Sequence, residues 1–322
     1  MEKSIITIAV GKKTYIDMAC NLAMSFLLWN NDNKIDFYLF TDNPQFISNK
    51  LKSKINVVDI SDKKLQNGFA SKLYMAQLTN AEKTLFIDAD CLIYGNLLPV
   101  FETFNGYEVT AIGHKLTEGK DIGFCHDVSQ LLANTGIPYF PLICGSVYYF
   151  QKSDLSDKIF NYAISQLKVY KEIGLIPLRD KENEEPLIAI SMAKFNQNPV
   201  EDTGKIKADR MFYDHLKTNI ISGRAKLWNT NNPPVPEYST LKLSQPLIVH
   251  FNNHFTESYE YKSEIIRLKM YYLENRGKFV ANISAYIASV LPGKLKLYIK
   301  NLLRPVYVQL FGNRKIKKIN RL

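Results

Sequence analysis

Apolar, β-branched segments alternate with helix-like segments over residues 4–88, and this alternation limits the possible folds more than any other feature of the chain. Four segments predict buried strands: residues 4–10, 34–40, 55–60 and 83–88. Three segments between them predict helices: residues 14–29, 45–54 and 71–78. Strands that alternate with helices form right-handed βαβ units. We therefore predict an α/β fold with a mostly parallel sheet flanked by helices.

The rest of the chain is less regular. It predicts strands at residues 108–113, 147–150 and 247–250, and helices at residues 153–174, 186–195 and 259–275. Residues 115–139 and 229–238 predict irregular connections. Because ligands of an open α/β sheet bind beyond the carboxyl ends of its strands, functional residues are expected just after the predicted strands.

The composition is that of a folded, intracellular protein. The 322 residues are 46% hydrophobic and 22% charged, which is typical of globular rather than disordered chains. The four cysteines lack the pair spacing of a zinc or redox motif: Cys20, Cys91, Cys125 and Cys144. No apolar run predicts a signal peptide or a transmembrane helix. We therefore expect reduced thiols and a cytoplasmic location.

The net charge of +10 is concentrated in the tail. Residues 291–322 contain nine of the 41 basic residues and none of the 31 acidic ones. Leu, Ile, Val and Phe are interleaved with the basic residues, which is the pattern of a helix that lies in a membrane interface. A solvated tail and an RNA-binding tail are the alternatives, and the apolar content disfavours both. We expect a peripheral contact with an anionic membrane, no nucleic-acid partner, and a helix that Pro305 divides in two.

Two carboxylates follow the fourth predicted strand directly. Asp88 and Asp90 are two residues apart, and Leu85, Phe86 and Ile87 precede them. Two hard oxygen ligands at a strand end suit Mg²⁺ or Mn²⁺, which keep open positions for diphosphate oxygens. The alternative is a solvated turn, but the position at the ligand edge of an α/β sheet favours metal binding.

Residues 71–74 (SKLY) and 84–97 (TLFIDADCLIYGNL) resemble the core of the family 8 glycosyltransferases of the GT-A fold. The resemblance extends loosely over residues 4–255. It implies a UDP-sugar donor, a Mn²⁺-type cation and retention of anomeric configuration. It also implies a catalytic domain at residues 1–256, with nucleotide-sugar binding in 1–105 and acceptor and sugar binding in 106–256. A helical extension at 257–290 and the membrane-associating tail at 291–322 would follow.

The resemblance implies a third metal ligand within residues 247–255 (LIVHFNNHF). His250 follows the apolar strand and aligns best, and His254 is the alternative. The lysine that family members carry after this histidine is missing, and Lys262 is a possible substitute. Donor contacts are expected from residues at strand ends or beside them: Val10, Gly11, Tyr15, Asp42, Asp88, Ala89, Asp90 and Gly145. Ordinary helix packing is the alternative for Tyr15.

Three further residues are expected to take part in catalysis. Lys72 matches a basic position near the donor, although an exposed helical lysine is the alternative. Residues 183–186 (NEEP) resemble a helix start that places Glu184 or Glu185 beside the reacting sugar, with Glu185 favoured. Capping of the helix is the alternative reading of these two carboxylates. The asparagine that the family has near Ile143 is replaced here, and Gly145 is retained.

The sequence thus predicts a metal-dependent hexosyltransferase that moves a sugar from UDP to a glycan or lipid-linked acceptor in bacterial surface polysaccharide synthesis. Acceptor specificity is expected in residues 115–139 and 229–238. A sugar-phosphate nucleotidyltransferase is the first alternative, but residues 11–15 (GKKTY) lack the glycine-rich, arginine-bearing loop that it needs. The second is a membrane-bound nucleotide-binding protein without activity, which the set Asp88, Asp90 and His250 disfavours.

Overall fold

The computed structural model describes residues 2–32, 34–60, 68–231 and 241–312. The strands are, in chain order, β1 (Lys3–Ala9), β2 (Asp36–Thr41), β3 (Asn56–Asp59), β4 (Lys83–Ile87), β5 (Cys91–Ile93), β6 (Val109–Leu116), β7 (Phe140–Gln151), β8 (Lys207–Asp209), β9 (His215–Asn219), β10 (Arg224–Trp228), β11 (Leu243–Ser244) and β12 (Ile248–His250). The α-helices are α1 (Lys13–Trp29), α2 (Asn49–Lys52), α3 (Leu98–Thr103), α4 (Val128–Thr135), α5 (Asp154–Gln166), α6 (Glu184–Lys194), α7 (Tyr259–Leu268), α8 (Lys278–Ala285) and α9 (Leu291–Phe311).

The main sheet has six strands in the order β3-β2-β1-β4-β7-β6. Strands β3, β2, β1 and β4 are parallel, whereas β7 runs antiparallel to both β4 and β6. Ile5 and Leu85 face α1, and Ile6 and Phe86 face α5 and α6 on the other side. Both faces of these strands are covered, which explains their nearly continuous apolar sequences. The predicted mostly parallel sheet flanked by helices is confirmed.

Several predicted helices are shorter or tighter than expected. A 3₁₀ turn at Pro44–Phe46 and α2 replace the single helix predicted at 45–54. The segment predicted as a helix at 71–78 is a 3₁₀ helix, Gly68–Gln77. Helix α5 ends at Gln166, and α7 ends at Leu268 before a π-helical turn. Of the irregular segment predicted at 229–238, residues 232–238 lie outside the described residues.

Two small sheets complete the body. Strands β5, β12 and β8 form one, and the antiparallel strands β11, β10 and β9 form the other. Helix α7 packs between the second sheet and α8, and its inward residues Tyr261, Ile265 and Leu268 belong to the same apolar cluster as Leu227 of β10. The first small sheet continues the chain from the end of β4, and it therefore lies at the edge of the main sheet where ligands are expected.

The C-terminal helices leave the body after a stripe of small residues. Ala281 and Ala285 are fully buried, Ser289 donates a hydrogen bond to the Tyr259 carbonyl (2.9 Å), and a side chain on Gly293 would collide with Tyr259. Beyond Gly293 almost every described residue of α9 is exposed. The predicted break at Pro305 is wrong: α9 continues through this proline. Proline removes one backbone donor but supplies the φ that a helix needs.

Within the described part of the chain, no helix is both long enough and apolar enough to cross a membrane.

Candidate active site

The chain turns sharply at the carboxyl end of β4. The Asp88 amide donates to the Ser146 carbonyl (2.9 Å) as the last bond between β4 and β7, and the Cys91 amide donates back to the Asp88 carbonyl (3.0 Å). Asp90 lies in this turn, and β5 begins directly after it. Both carboxylates therefore lie at the carboxyl edge of the parallel strands.

The first small sheet brings His250 to this turn. Strand β12 is antiparallel to β5 and parallel to β8, so that His250 is the register partner of both Cys91 and Asp209. His250 Nε2 lies 3.1 Å from Asp90 Oδ1, and His250 Nδ1 lies 2.5 Å from Asp209 Oδ1. The Phe251 amide also donates to the Asp90 carbonyl (3.0 Å). The imidazole is thus held on both of its nitrogens by carboxylates.

A buried lysine completes this side of the site. Lys207 Nζ lies 2.7 Å from Asp209 Oδ2 and 3.3 Å from Ser146 Oγ. Burial acts to raise the pKa of Asp209, but Lys207 and His250 outweigh it and hold the pKa well below its ordinary value. Burial acts to lower the pKa of His250, but Asp90, Cys91 and Asp209 raise it well above the usual range. Asp209 is therefore ionised and able to orient the ring.

Asp90 and Asp88 differ in their surroundings. Burial acts to raise the pKa of Asp90, but His250 outweighs it and the pKa lies below its ordinary value. Asp88 instead pairs with Lys72, whose Nζ lies 2.8 Å from Asp88 Oδ1 and 3.0 Å from Glu184 Oε1. Burial raises the pKa of Asp88 in spite of this lysine. The Lys72 side chain is 15% exposed and lies between two carboxylates, so the alternative of an exposed helical lysine is wrong.

Glu184 and Glu185 begin α6 beside the turn. Asn183 caps the helix by accepting a hydrogen bond from the Glu185 amide (3.3 Å) and donates through Nδ2 to Glu185 Oε2 (3.3 Å). The Gly145 amide donates to Glu185 Oε1. Burial raises the pKa of Glu184 to about 7, against the opposing charge of Lys72. Two carboxylates of unequal environment therefore lie beside the acidic turn.

Gly145 is needed because of what surrounds it. A Cβ at this position would lie 2.6 Å from Glu185 Cγ and would also collide with the Tyr148 hydroxyl. Glycine is therefore required for the approach of Glu185 to the strand backbone. Within the described residues, the buried Tyr148 hydroxyl and Glu184 Oε2 have no hydrogen-bond partner. Buried polar atoms without a partner are uncommon, and a bound ligand, water or ion is one way in which they are satisfied.

His250 belongs to both groups of side chains that could hold a metal ion. Asp90, Cys91 and His250 form one group whose ligand atoms lie within 4.8 Å of one another, and Cys144, Asp209 and His250 form a second. Asp88 is in neither group, because its carboxylate is turned toward Lys72. His254 is exposed and its ring packs on Phe255, with 4.2 Å between the centroids. The structure thus brings Asp90 and His250 together and leaves His254 apart.

Of the residues expected to contact the nucleotide, Val10, Gly11 and Asp42 follow β1 and β2, whereas Ala89 follows β4 and Tyr15 lies in α1. The Gly11 amide donates to both carboxylate oxygens of Asp42, each at 3.1 Å. Gly11 has a φ of +84°, which favours glycine there. Tyr15 is 45% exposed at the start of α1. Val10 and Ala89 are half-buried, and Lys262 is exposed on α7.

Sequence reasoning missed three residues of this site: Asn183, Lys207 and Asp209. Asp209 touches His250 directly, and Lys207 is needed to keep Asp209 charged. Residues 206–209 (IKAD) carry opposite charges two positions apart, which on a strand places both on one face. This spacing could have predicted an ion pair between Lys207 and Asp209 from the sequence. Only the pairing of β8 with β12 shows that Asp209 contacts His250.

No protein-family model matches the chain, and no curated protein matches its sequence. Among solved structures, the apo structure of the bifunctional glycosyltransferase WbbM has a TM-score of 0.50 at 13% identity, covering 78% of this chain and 46% of WbbM. The chain has a GT-A-type fold. In this GT-A-type fold the turn after β4 carries Asp88 and Asp90.

Two further solved structures are similar at lower scores. The galactosyltransferase LgtC, in complex with donor and acceptor sugar analogues, has a TM-score of 0.48 at 12% identity, over 78% of this chain and 87% of LgtC. The glycosyltransferase GlyE of Streptococcus pneumoniae TIGR4 has a TM-score of 0.42 at 13% identity, over 62% of this chain and 46% of GlyE. The chain spans about half the length of WbbM and GlyE.

Proposed function

We propose that this protein is a metal-dependent glycosyltransferase. It moves a hexose from a UDP-sugar to a glycan or lipid-linked acceptor, with retention of configuration, in bacterial surface polysaccharide synthesis. The observation that carries the proposal is the meeting of Asp90 and His250 (3.1 Å) at the strand end that also carries Asp88. An acidic pair and an imidazole at the ligand edge of a GT-A-type sheet suit a cation with bound diphosphate.

We propose that Asp90 and His250 hold a Mn²⁺ or Mg²⁺ ion, and that Asp88, whose carboxylate is paired with Lys72 in this structure, turns to become the third ligand. This ligand set is supported by the second nitrogen of His250, which is bonded to Asp209, because metal-binding histidines characteristically bond a carboxylate in this way. Hard carboxylate oxygens favour these ions over softer ones. When bound, the ion would neutralise charge on the leaving nucleoside diphosphate.

The remaining residues bind and orient the donor. Lys72 is a half-buried cation beside Asp88 and supplies positive charge for the diphosphate. Val10, Gly11, Asp42 and Ala89 follow β1, β2 and β4, and Tyr15 lies in the first turn of α1; these five residues are proposed to contact the nucleotide. Tyr15 is exposed enough to stack on a base.

Glu185 and Glu184 face the donor sugar. Glu185 is fixed by the Gly145 amide and by Asn183, so that its carboxylate cannot turn away from the site. Glu184 is paired with Lys72 and keeps one oxygen that has no hydrogen bond from the described residues. These carboxylates hold sugar hydroxyls and stabilise positive charge that develops at the anomeric carbon.

The protein is cytoplasmic and attaches to the inner face of the cell membrane through its tail. Of the large hydrophobic residues that are exposed, sixteen lie in Phe279 to Phe311 and only three lie elsewhere in the described chain. Helix α9 carries four basic residues and no acidic one. An exposed helix with this composition suits the interface of an anionic bilayer.

The proposal is tested by UDP release from UDP-hexoses by the full chain, with and without Mn²⁺. Asp90→Asn should abolish metal-dependent release and leave the unfolding midpoint close to that of the wild type. Asp157→Asn, at an exposed carboxylate on α5, is the matched control and should behave as the wild type. Release that does not depend on metal, or full release by Asp90→Asn, would exclude the metal role. Absence of UDP release and of UDP binding would exclude the glycosyltransferase.

A further inference from the structure

The small sheet β9–β10–β11 has two chemically distinct faces. Its inward face carries Leu216, Ala225 and Leu227, which pack into the apolar cluster under α7. Side chains alternate along each strand, so the outward face carries the remaining set. That set is His215, Lys217, Asn219, Arg224, Lys226, Trp228 and Leu243. It contains three exposed cations and no acidic residue.

Two of the cations are directly opposite each other. Lys217 and Lys226 are register partners in the antiparallel pair β9–β10, and both are exposed. Arg224 is two residues before Lys226 on the same face. Like charges at opposite positions destabilise a sheet. The fold does not need this arrangement, and a negatively charged partner would offset the repulsion.

An aromatic group borders the cations. The His215 ring stacks on Trp228 with 5.0 Å between centroids, and Lys226 Nζ lies 5.6 Å from the centre of the Trp228 ring. Leu243, the register partner of Trp228, is 48% exposed. Tryptophan is enriched where a bilayer meets water, because its ring is apolar and its N–H is polar.

The cationic face continues into an apolar helix surface. Asn219, at the end of β9, donates through Nδ2 to Asn282 Oδ1 of α8 (2.8 Å). Phe279 and Ile283 lie on either side of Asn282 along α8 and are 76% and 41% exposed. A bilayer needs both parts, cations for the lipid phosphates and apolar side chains for the acyl region. A nucleic acid or an acidic glycan would use the cations and the aromatic pair but would leave the apolar side chains of α8 in water.

We propose that the outward face of β9–β10–β11 and the exposed side of α8 dock on an anionic lipid bilayer and orient the candidate active site toward it. The proposal rests on the membrane attachment of α9 proposed above and adds a second contact. Helix α9 projects from the body, so it would tether the catalytic domain without fixing its orientation. Because β9 begins six residues after Asp209, the docked face lies within roughly 20 Å of that residue along the chain.

The test is the binding of the full chain to vesicles of phosphatidylcholine with and without phosphatidylglycerol. Each basic residue near an anionic surface strengthens binding, and removal of three should weaken partitioning on the order of 100-fold at low salt. The variant is Lys217→Gln with Arg224→Gln and Lys226→Gln. The matched control removes three exposed lysines on and after α5, Lys158→Gln with Lys168→Gln and Lys171→Gln, and should bind as the wild type.

A second readout reports on the face itself. Vesicles with brominated acyl chains should quench the tryptophan fluorescence of the bound wild type. Trp228→Phe should lose most of this quenching and Trp29→Phe should keep it, because only Trp228 lies on the outward face of the sheet, whereas Trp29 lies in α1 with its indole N–H bonded to the Ile220 carbonyl. UDP release is measured separately, so failure of the glycosyltransferase proposal leaves vesicle binding interpretable.

The outcomes separate the possibilities. Weaker binding of the triple variant together with Trp228 quenching supports the proposal. Equal vesicle binding by the triple variant and the wild type overturns the proposed docking face. The separate proposal that α9 attaches the protein to the membrane would still hold if truncation within α9 weakens vesicle binding. Competition by a soluble polyanion such as dextran sulfate, without quenching by brominated lipid, would make the face a polyanion site and would also overturn the proposed docking face.

Discussion

Asp209 should be the residue whose loss shows most clearly how the site is built. Asp209→Asn keeps the size of the side chain and removes its charge. His250 then loses the carboxylate that holds Nδ1, and Lys207 is left as a buried cation without its ion pair. The change therefore affects the orientation of the imidazole and the stability of the fold through two separate contacts.

The two effects have different expected sizes. Loss of a carboxylate behind a ligating histidine weakens metal binding by about 10- to 100-fold. Breaking a buried ion pair costs about 3–5 kcal/mol of stability, and the Asp209 and Lys207 side chains are only 6% and 4% exposed. Removing both charges, with Lys207→Met in addition, should recover much of that stability because no unpaired charge remains. It should not recover the metal affinity.

Mn²⁺ binding is measured by paramagnetic resonance of the free ion in the presence of UDP, and stability by denaturant unfolding. The four proteins of the double-mutant cycle are compared, with Asp157→Asn as the exposed control. Wild-type Mn²⁺ affinity in folded Asp209→Asn would refute the role of Asp209 in orienting His250. The buried ion pair would be refuted if the loss of unfolding free energy in the double variant equals the sum of the losses in the two single variants.

Three further predictions concern other parts of the molecule. Burial, opposed by Lys72, raises the pKa of Glu184 from 4.5 to about 7. The folded protein therefore loses up to about 3 kcal/mol of stability relative to Glu184→Gln as pH rises from 5 to 8, measured by denaturant unfolding. A stability difference that does not change with pH would contradict this. Gly145→Ala should lower the free energy of unfolding by about 1–3 kcal/mol and reduce UDP release, because the alanine methyl group collides with Glu185. The control Gly277→Ala places its methyl group where no atom lies within 4 Å, so it should match the wild type in both assays. Truncation after Lys294 should weaken binding to anionic vesicles and leave the unfolding of the protein unchanged, because the described residues of α9 beyond this point are almost all exposed. A truncated chain that binds as tightly as the wild type would exclude the anchor.

The sequence predicts the main sheet well because local patterns determine it. Residues 4–10 and 83–88 are apolar on both faces, and only a strand covered on both sides requires that. The position of Asp88 and Asp90 follows from the same pattern, since they come directly after the fourth strand.

Other features depend on contacts between distant segments, and local patterns do not reveal them. The pairing of β12 with β8 brings Asp209 to His250 across 41 positions of sequence. The pairing of Lys72 with Asp88 and Glu184 likewise depends on how α6 and the 3₁₀ helix before β4 pack against the sheet. The continuation of α9 through Pro305 was mispredicted because proline is unfavourable in a helix but does not always end it.

Asp88, Asp90 and His250 are proposed to hold a divalent cation together with a nucleoside diphosphate, and this is the ligand set on which the proposed function depends. It is tested most directly by anomalous diffraction from crystals grown with Mn²⁺ and UDP. One Mn²⁺ peak is expected, bonded to carboxylate oxygens of Asp88 and Asp90 and to Nε2 of His250, with Nδ1 still bonded to Asp209. A Mn²⁺ peak between Cys144, Asp209 and His250, or UDP bound with no metal beside Asp90, would contradict it.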